Sequence, residues 1–319
     1  DVCILTRDED QAHHAPFVAA GVEVLVLRRR ARGWQDALEG AALVLIEGAW
    51  SRMAMCARRW SRRLDIPLIY VPHGSLSRLV RQQFPWRHMK KLAYWCVVEN
   101  HIIRSSAMTW YSSDAERGLS AGTFPGTPSG SAVIPFASRA VRGDRVRHTS
   151  PPLQLMTATR VVPVKDLHIV IRALANPQVV GWHLTIAGDE DPGHAAELRQ
   201  LADDLGVADR ISWLGFLDTD ELDALYLSSD AYVCPGLESF GMSVAEALSS
   251  NLPVIASDAV ALAPVIGEAG AVFPRGDVDA LAREIGAVSA RLTGEGFGDA
   301  PAQVWREHCS PENFLRAFS

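Results

Sequence analysis

The run Ala231-Tyr-Val-Cys-Pro-Gly-Leu-Glu-Ser-Phe-Gly-Met-Ser-Val-Ala-Glu-Ala-Leu248 reads as a buried strand, a glycine-containing turn and a helix through Ala245, Ala247 and Leu248. A helix starting near Gly241 leaves its first N–H groups unpaired at the positive end of the helix dipole, which is a seat for an anion. Two carboxylates flank that seat, Glu238 in the turn and Glu246 within the first two helical turns. A carboxylate repels phosphate, so its ligand is a hydrogen-bond donor, and a sugar diol is the obvious one. An anion seat with two diol-binding carboxylates suggests a nucleotide sugar.

Working outward, the second half keeps the same rhythm. Strands are expected over 153–159, 183–187, 211–214 and 253–257, with helices over 167–175, 195–205, 219–228 and 278–292. The first half gives strands over 2–5, 22–27, 42–46, 67–71, 105–110 and 132–135, and a basic helix over 52–64. Such alternation implies α/β units around parallel sheets. A chain of 319 residues exceeds the usual single core. The expected fold is therefore two Rossmann-like doubly wound domains facing across a cleft. The boundaries read as residues 1–136, a polar linker over 137–152, a second domain over 153–300, and a tail over 301–319 packing back on the first domain. Ligands in such sheets lie beyond the carboxyl ends of strands, which draws attention to the tips at Glu47-Gly-Ala-Trp50 and Pro72-His-Gly74.

The composition, 48% hydrophobic and 21% charged, is that of a globular protein. No apolar run approaches the ~20 residues that span a bilayer. Five cysteines without a CxxC pair indicate neither a zinc site nor a disulfide framework, and fit a reducing cytoplasm. Residues 1–150 carry 21 Lys and Arg against 13 Asp and Glu, a net +8, and the remainder carries 10 against 24, a net −14. The basic half favours an anionic partner. Over 74–91, Leu76, Leu79, Val80, Phe84, Trp86 and Met89 alternate with Arg78, Arg81, Arg87, Lys90 and Lys91. That pattern fits either a solvated helix pair or a peripheral contact with an anionic membrane at its inner face. No nucleic-acid partner is expected.

These residues resemble family 4 glycosyltransferases of the GT-B fold, in the bacterial exopolysaccharide and lipopolysaccharide branch. Arg160-Val-Val-Pro-Val-Lys165 is similar to the family's Arg-x4-Lys segment and Glu238-x7-Glu246 to its E-x7-E motif. Pro72-His73-Gly74, with the basic aromatic run to Lys90-Lys91 and Tyr94-Trp95, is similar to its acceptor-side pattern. The resemblance runs from Val2 to about Phe314. Family members begin with a further βα unit of roughly 30 residues, a loop of which approaches donor and acceptor. Its apparent absence bears on whether this chain is active. A paired glycine of the family is Val260-Ala261 here, another is Asn251, and Gly188-Asp189 is followed by the acidic Glu190-Asp191.

The resemblance implies a retaining hexosyltransferase moving a sugar from a nucleotide-diphosphate sugar to a glycan or lipid-linked acceptor. Attack is from the front face, and the leaving phosphate helps remove the acceptor proton. Arg160 and Lys165 would meet the diphosphate charge. Glu246 would accept from the ribose hydroxyls and Glu238 from the donor sugar, with Ser239, Phe240, Gly241, Met242 and Ser243 beside them and Gly215 and Phe216 completing the donor site. His73 is the acceptor-side candidate. The catalytic set is thus His73, Arg160, Lys165 and Glu238. Plainer readings exist: Glu246 on a helix surface, Glu238 as a helix cap, His73 as a structural residue. No cofactor and no metal is expected, since Asp8-Glu-Asp10, Asp189-Glu-Asp191 and Asp218-Thr-Asp220 arise readily among 37 acidic residues and the last sits where a helix cap belongs. A nucleotide-sugar epimerase or hydrolase on the same fold, or an inactive nucleotide-binding fragment, are the alternatives. No G-x-G-x-x-G follows a strand, which excludes a Rossmann dehydrogenase fingerprint.

Overall fold

The structure, a computed structural model, describes residues 3–6, 23–26, 33–78, 85–125, 130–146, 148 and 150–318. The Asp8 triplet, and Leu79, Val80, Arg81 and Phe84 of the basic aromatic run, lie outside the described residues. Two compact units divide at Val133 and Ile134.

In the first unit, β1 (Cys3–Thr6) and β2 (Glu23–Val26) form a parallel pair. A four-stranded parallel sheet follows in the order β3 (Val44–Glu47), β4 (Leu68–Val71), β5 (Met108–Tyr111), β6 (Ser131–Val133). Helix α1 (Gly33–Leu38) precedes β3. Helix α2 (Arg52–Leu64) starts at Ser51, whose hydroxyl accepts from the Met53 N–H, and stops at Asp65 in the left-handed conformation. Helix α3 (Pro85–Tyr94) runs through a π-turn at Trp95–Glu99 into α4 (Asn100–Ser105), and α5 (Asp114–Ser120) follows β5. The core gathers Trp34, Leu68, Tyr70, Leu76, Trp95, Ile102 and Ile103.

The second unit holds a six-stranded parallel sheet from β7 (Leu153–Ala158), β8 (Trp182–Ala187), β9 (Ile211–Gly215), β10 (Ala231–Cys234), β11 (Val254–Ser257) and β12 (Gly270–Phe273). Their order in the sheet is β12-β11-β10-β7-β8-β9. Read from β9, this is the doubly wound order 3-2-1-4-5-6, and the strand order reverses between β7 and β10. Alternate side chains serve opposite faces, as the strand period of two requires. Leu155, Leu184, Ile186, Val233 and Ile255 pack under α6 (Leu167–Leu174), α7 (Pro192–Asp204) and α11 (Val278–Thr293). Met156, Tyr232, Cys234, Val254 and Ala256 face the cluster that includes α9 (Met242–Ser249) and α10 (Ala263–Ile266). Helix α8 (Thr219–Ser228) opens with a full capping box between Asp218 and Glu221, the cap expected from the sequence.

Residues 137–152 group with the second unit. Arg145 donates to the carbonyls of Ser229, Asp230 and Asn251, and the Val146 N–H donates to Leu227. The tail, α12 (Ala300–His308) and α13 (Pro311–Phe318), groups with the second unit too. Trp305 donates from Nε1 to the Ser138 hydroxyl, and the Ser138 N–H to the Cys309 carbonyl, so apolar helix faces that need cover find it there. Strand β12 was not anticipated. It is four residues long and opens on Gly270, where a Cβ would lie 1.8 Å from the Val254 carbonyl oxygen, so only glycine admits the pairing.

Candidate donor-binding site

The switch point of the second sheet brings together the segments after β7 and β10. After β7 the chain turns at Arg160, is tied to the β8 tip by Val161 N–H to Asp189 O at 2.8 Å, and closes one 3-10 turn at Pro163–Lys165. After β10, Pro235 and Gly236 carry it across this turn. A Cβ on Gly236 would stand 2.5 Å from the Lys165 Cα, so the two backbones touch and only glycine fits. Leu237 N–H donates to Val164 O at 3.3 Å, and the Ser257 hydroxyl to Gly236 O at 3.1 Å.

This contact sets Lys165 Nζ against Glu238 Oε1 in a close ion pair, with side chains 18% and 19% exposed. Glu238 is steadied from its other side by a bridge to Val260, with Ala261 N–H to Glu238 O at 3.0 Å. The Val260-Ala261 departure thus lies directly against Glu238. The helix-cap reading of Glu238 is corrected. Helix α9 is capped by Gly241 at φ 95°, with no side-chain cap bond from that residue.

Glu246 is not a surface residue either, since its side chain is only 15% exposed. Arg139 Nε donates to Oε1 at 3.0 Å and the Tyr226 hydroxyl to Oε2 at 3.2 Å. The same guanidinium reaches Asp223 at 2.5 Å. Burial opposes the arginine's charge, yet the two carboxylates raise its pKa above the usual value. Ser243 accepts the Tyr232 hydroxyl at 2.7 Å, and Phe240 packs edge-on to Phe136. Burial first, then neighbouring acidic groups, raises the pKa of the Tyr226 and Tyr232 hydroxyls, so both serve as donors.

Arg160 is exposed and has no ion pair among the described residues. Gly215 ends β9 with φ 66°, accepts the Gly188 N–H at 2.7 Å, and precedes Phe216, which is 74% exposed. Ser239 and Met242 complete the turn and the first helical position. Asp191 caps α7 by accepting the His194 N–H, and Glu190 binds Arg199, which accounts for two members of the second acidic triplet. Gly236, Arg139 and Tyr226 were not singled out from the sequence. The Pro-Gly pair was a usable signal for the first, but Arg139 lay in the presumed linker.

His73 belongs to the first unit. It follows β4 in the left-handed conformation, φ 48°, with Gly74 at φ 71°. Its Nε2 lies 3.8 Å from Glu47 Oε2 at the neighbouring tip of β3. The neighbouring His73 holds the Glu47 carboxyl below the usual range, against some burial. At 3.8 Å the attraction is chiefly electrostatic.

Two parallel α/β units, with a charged site at the switch point of the second sheet, define a protein of the doubly wound class. Residues 144–290 match the family model for glycosyl transferases group 1. That stretch lies within the second unit, which carries Arg160, Lys165, Glu238 and Glu246. The chain is 34% identical over 134 residues to the lipopolysaccharide core biosynthesis mannosyltransferase LpcC of Rhizobium leguminosarum bv. viciae, over 40% of this chain and 38% of that protein. It is 37% identical over 76 residues to O-antigen chain mannosyltransferase B of Escherichia coli, over 24% of this chain and 20% of that one. The matched stretches thus span well under half of those relatives. Anabaena HepE, solved with UDP and glucose, shares the fold with a TM-score of 0.77 at 17% identity, over 99% of this chain and 90% of its own.

Proposed function

We propose that this chain transfers a hexose from a nucleoside-diphosphate sugar to a hydroxyl of a glycan or lipid-linked acceptor in surface polysaccharide synthesis, with retention of anomeric configuration. The Lys165–Glu238 pair at the switch point carries the reading. A diphosphate brings the anion that Lys165 now finds in Glu238. Its arrival would free the Glu238 carboxylate to accept a donor-sugar hydroxyl, while Arg160 and the N–H groups that open α9 share the phosphate charge. Glu246, held by Arg139 and Tyr226, keeps lone pairs for a ribose diol. In the reaction the C1–O bond to the β-phosphate breaks and the acceptor oxygen bonds C1 on the same face. The acceptor proton passes to the departing phosphate oxygen, so no enzyme nucleophile is needed. Lys165 and Arg160 act by stabilising the diphosphate's growing charge. His73 is assigned to the acceptor hydroxyl. The similarity to mannosyltransferases favours a mannose-type donor.

A membrane-held acceptor suits helix α3 and the π-turn, where Met89 and Val97 are exposed beside Lys90. Sedimentation with phosphatidylglycerol vesicles should be lost in Met89→Asp/Val97→Asp; absence of sedimentation by the native chain removes the membrane part alone. For the reaction itself, the chain is incubated with UDP-glucose or GDP-mannose and a lipopolysaccharide-core acceptor, and the product anomer is read by NMR. An α-linked product from an α-linked donor supports the reading. Free sugar or an epimer formed without acceptor would replace transfer by hydrolysis or epimerisation.

A further inference from the structure

Glu116 in the first unit plays no part in the reading so far, and its bonding is unusual. It stands at the third position of α5 in the sequence Ser113-Asp-Ala-Glu116, and Ser113 Oγ accepts its N–H at 3.0 Å. In an ordinary capping box the glutamate then turns back onto the cap residue's own N–H. Here Oε2 takes the N–H and hydroxyl of Ser112, at 2.8 and 2.7 Å, and Oε1 takes the N–H of Gly74, 42 residues earlier, at 2.5 Å. Glu116 is 1% exposed, and the adjacent Arg117 is paired with Asp114.

Enclosing a carboxylate without a cation is costly unless hydrogen bonds replace its water. Three donors do so here, two of them backbone N–H groups. What the arrangement gains is control of a strained turn. His73 and Gly74 are consecutive left-handed residues, a conformation that is strained for any residue but glycine. A charge-assisted bond to the Gly74 N–H is of the strong class and offsets that strain.

The geometry points to Glu116 as a positioning residue: through the Gly74 N–H, its buried carboxylate fixes the left-handed turn that presents the His73 imidazole beside Glu47. This rests on the acceptor-side reading of His73. The test is a double-mutant cycle in the full chain, with transfer measured from UDP-glucose or GDP-mannose, whichever supports it. Glu116→Ala should lower kcat roughly tenfold or more, as misplacement of a reacting group does, while donor KM stays put. In a His73→Ala background it should cost nothing further. Ser112→Ala, which removes another partner of Glu116 but leaves Gly74 bound, should keep kcat within about twofold. The same loss in both backgrounds, or no loss where His73→Ala loses activity, overturns the inference. A silent His73→Ala sinks the acceptor-side reading and this inference together, and leaves the donor site standing. Should Glu116→Ala not fold, the near-isosteric Glu116→Gln takes its place in the cycle. The Gly74 amide proton should then shift upfield in its NMR spectrum, and an unmoved resonance counts against the contact.

Discussion

In the second unit each site carboxylate faces a cation, Glu238 against Lys165 and Glu246 against Arg139, whereas in the first unit Glu99 and Glu116 are enclosed among neutral donors. Glu99 illustrates the second kind. It sits in the π-turn, takes the Tyr70 hydroxyl and the Trp50 N–H on Oε1, and leaves Oε2 buried with no hydrogen-bond partner among the described residues. Trp50, at the β3 tip, is itself left-handed at φ 69°. The difference separates exchangeable charge from fixed scaffolding. A partly exposed ion pair can trade one anion for another at small cost. A buried carboxylate braced by backbone N–H groups cannot leave without orphaning its donors. On this view the cation-paired carboxylates take ligands, and the enclosed ones hold the tips of β3 and β4 in conformations that the chain would not otherwise adopt.

The largest expected effect breaks the exchangeable side. Lys165→Ala should lower kcat by about 10²–10³-fold, the scale for losing a charge-stabilising donor. Steady-state kinetics giving less than threefold would show that Glu238, not a phosphate, is the proper partner of this lysine. Next comes the contact that brings the two together. Gly236→Ala places a methyl 2.5 Å from the Lys165 Cα, and overpacking of this kind costs about 1–3 kcal/mol. A thermal melt should show a lower Tm, and an unchanged one would mean the turn is free to move apart.

The smallest effect sharpens the scaffolding side. Burial raises the Glu99 carboxyl above its ordinary range, against the opposing bonds from Tyr70 and Trp50. A carboxyl that holds its proton more tightly folded than unfolded favours the fold below its unfolded pKa and loses that advantage as pH rises toward its folded one. Glu99→Gln keeps the Oε1 acceptor and carries no charge. Its Tm relative to the native chain should therefore climb as pH rises from about 4 into the neutral range. A pH-independent difference would mean that Glu99 ionises without penalty.

How much of this was legible beforehand follows from what each residue contacts. The run 231–248 gave strand, turn and helix because apolar periodicity and the Gly241 break are local signals. Asn251, standing where the family has a glycine, takes φ 59°, a left-handed conformation that asparagine tolerates. The bracing carboxylates were not legible, since Glu116 finds Gly74 across 42 residues and Glu99 finds Trp50 across 49. Arg139 and Arg145 looked like solvated linker charges for a related reason. Their partners include backbone carbonyls and distant carboxylates, which leave no mark in composition. Charge patterning showed that cations were there, but only the fold shows which of them are anchored.

Calorimetric titration of the chain with UDP, GDP and their sugar conjugates tests directly whether the second unit grips a nucleoside diphosphate between Lys165 and Glu246. We expect one of these to bind saturably, and Glu246→Ala to weaken it by about 1.5–3 kcal/mol, the value of a hydrogen bond to a charged group. Binding by none of them, or equal affinity in the variant, would contradict the account.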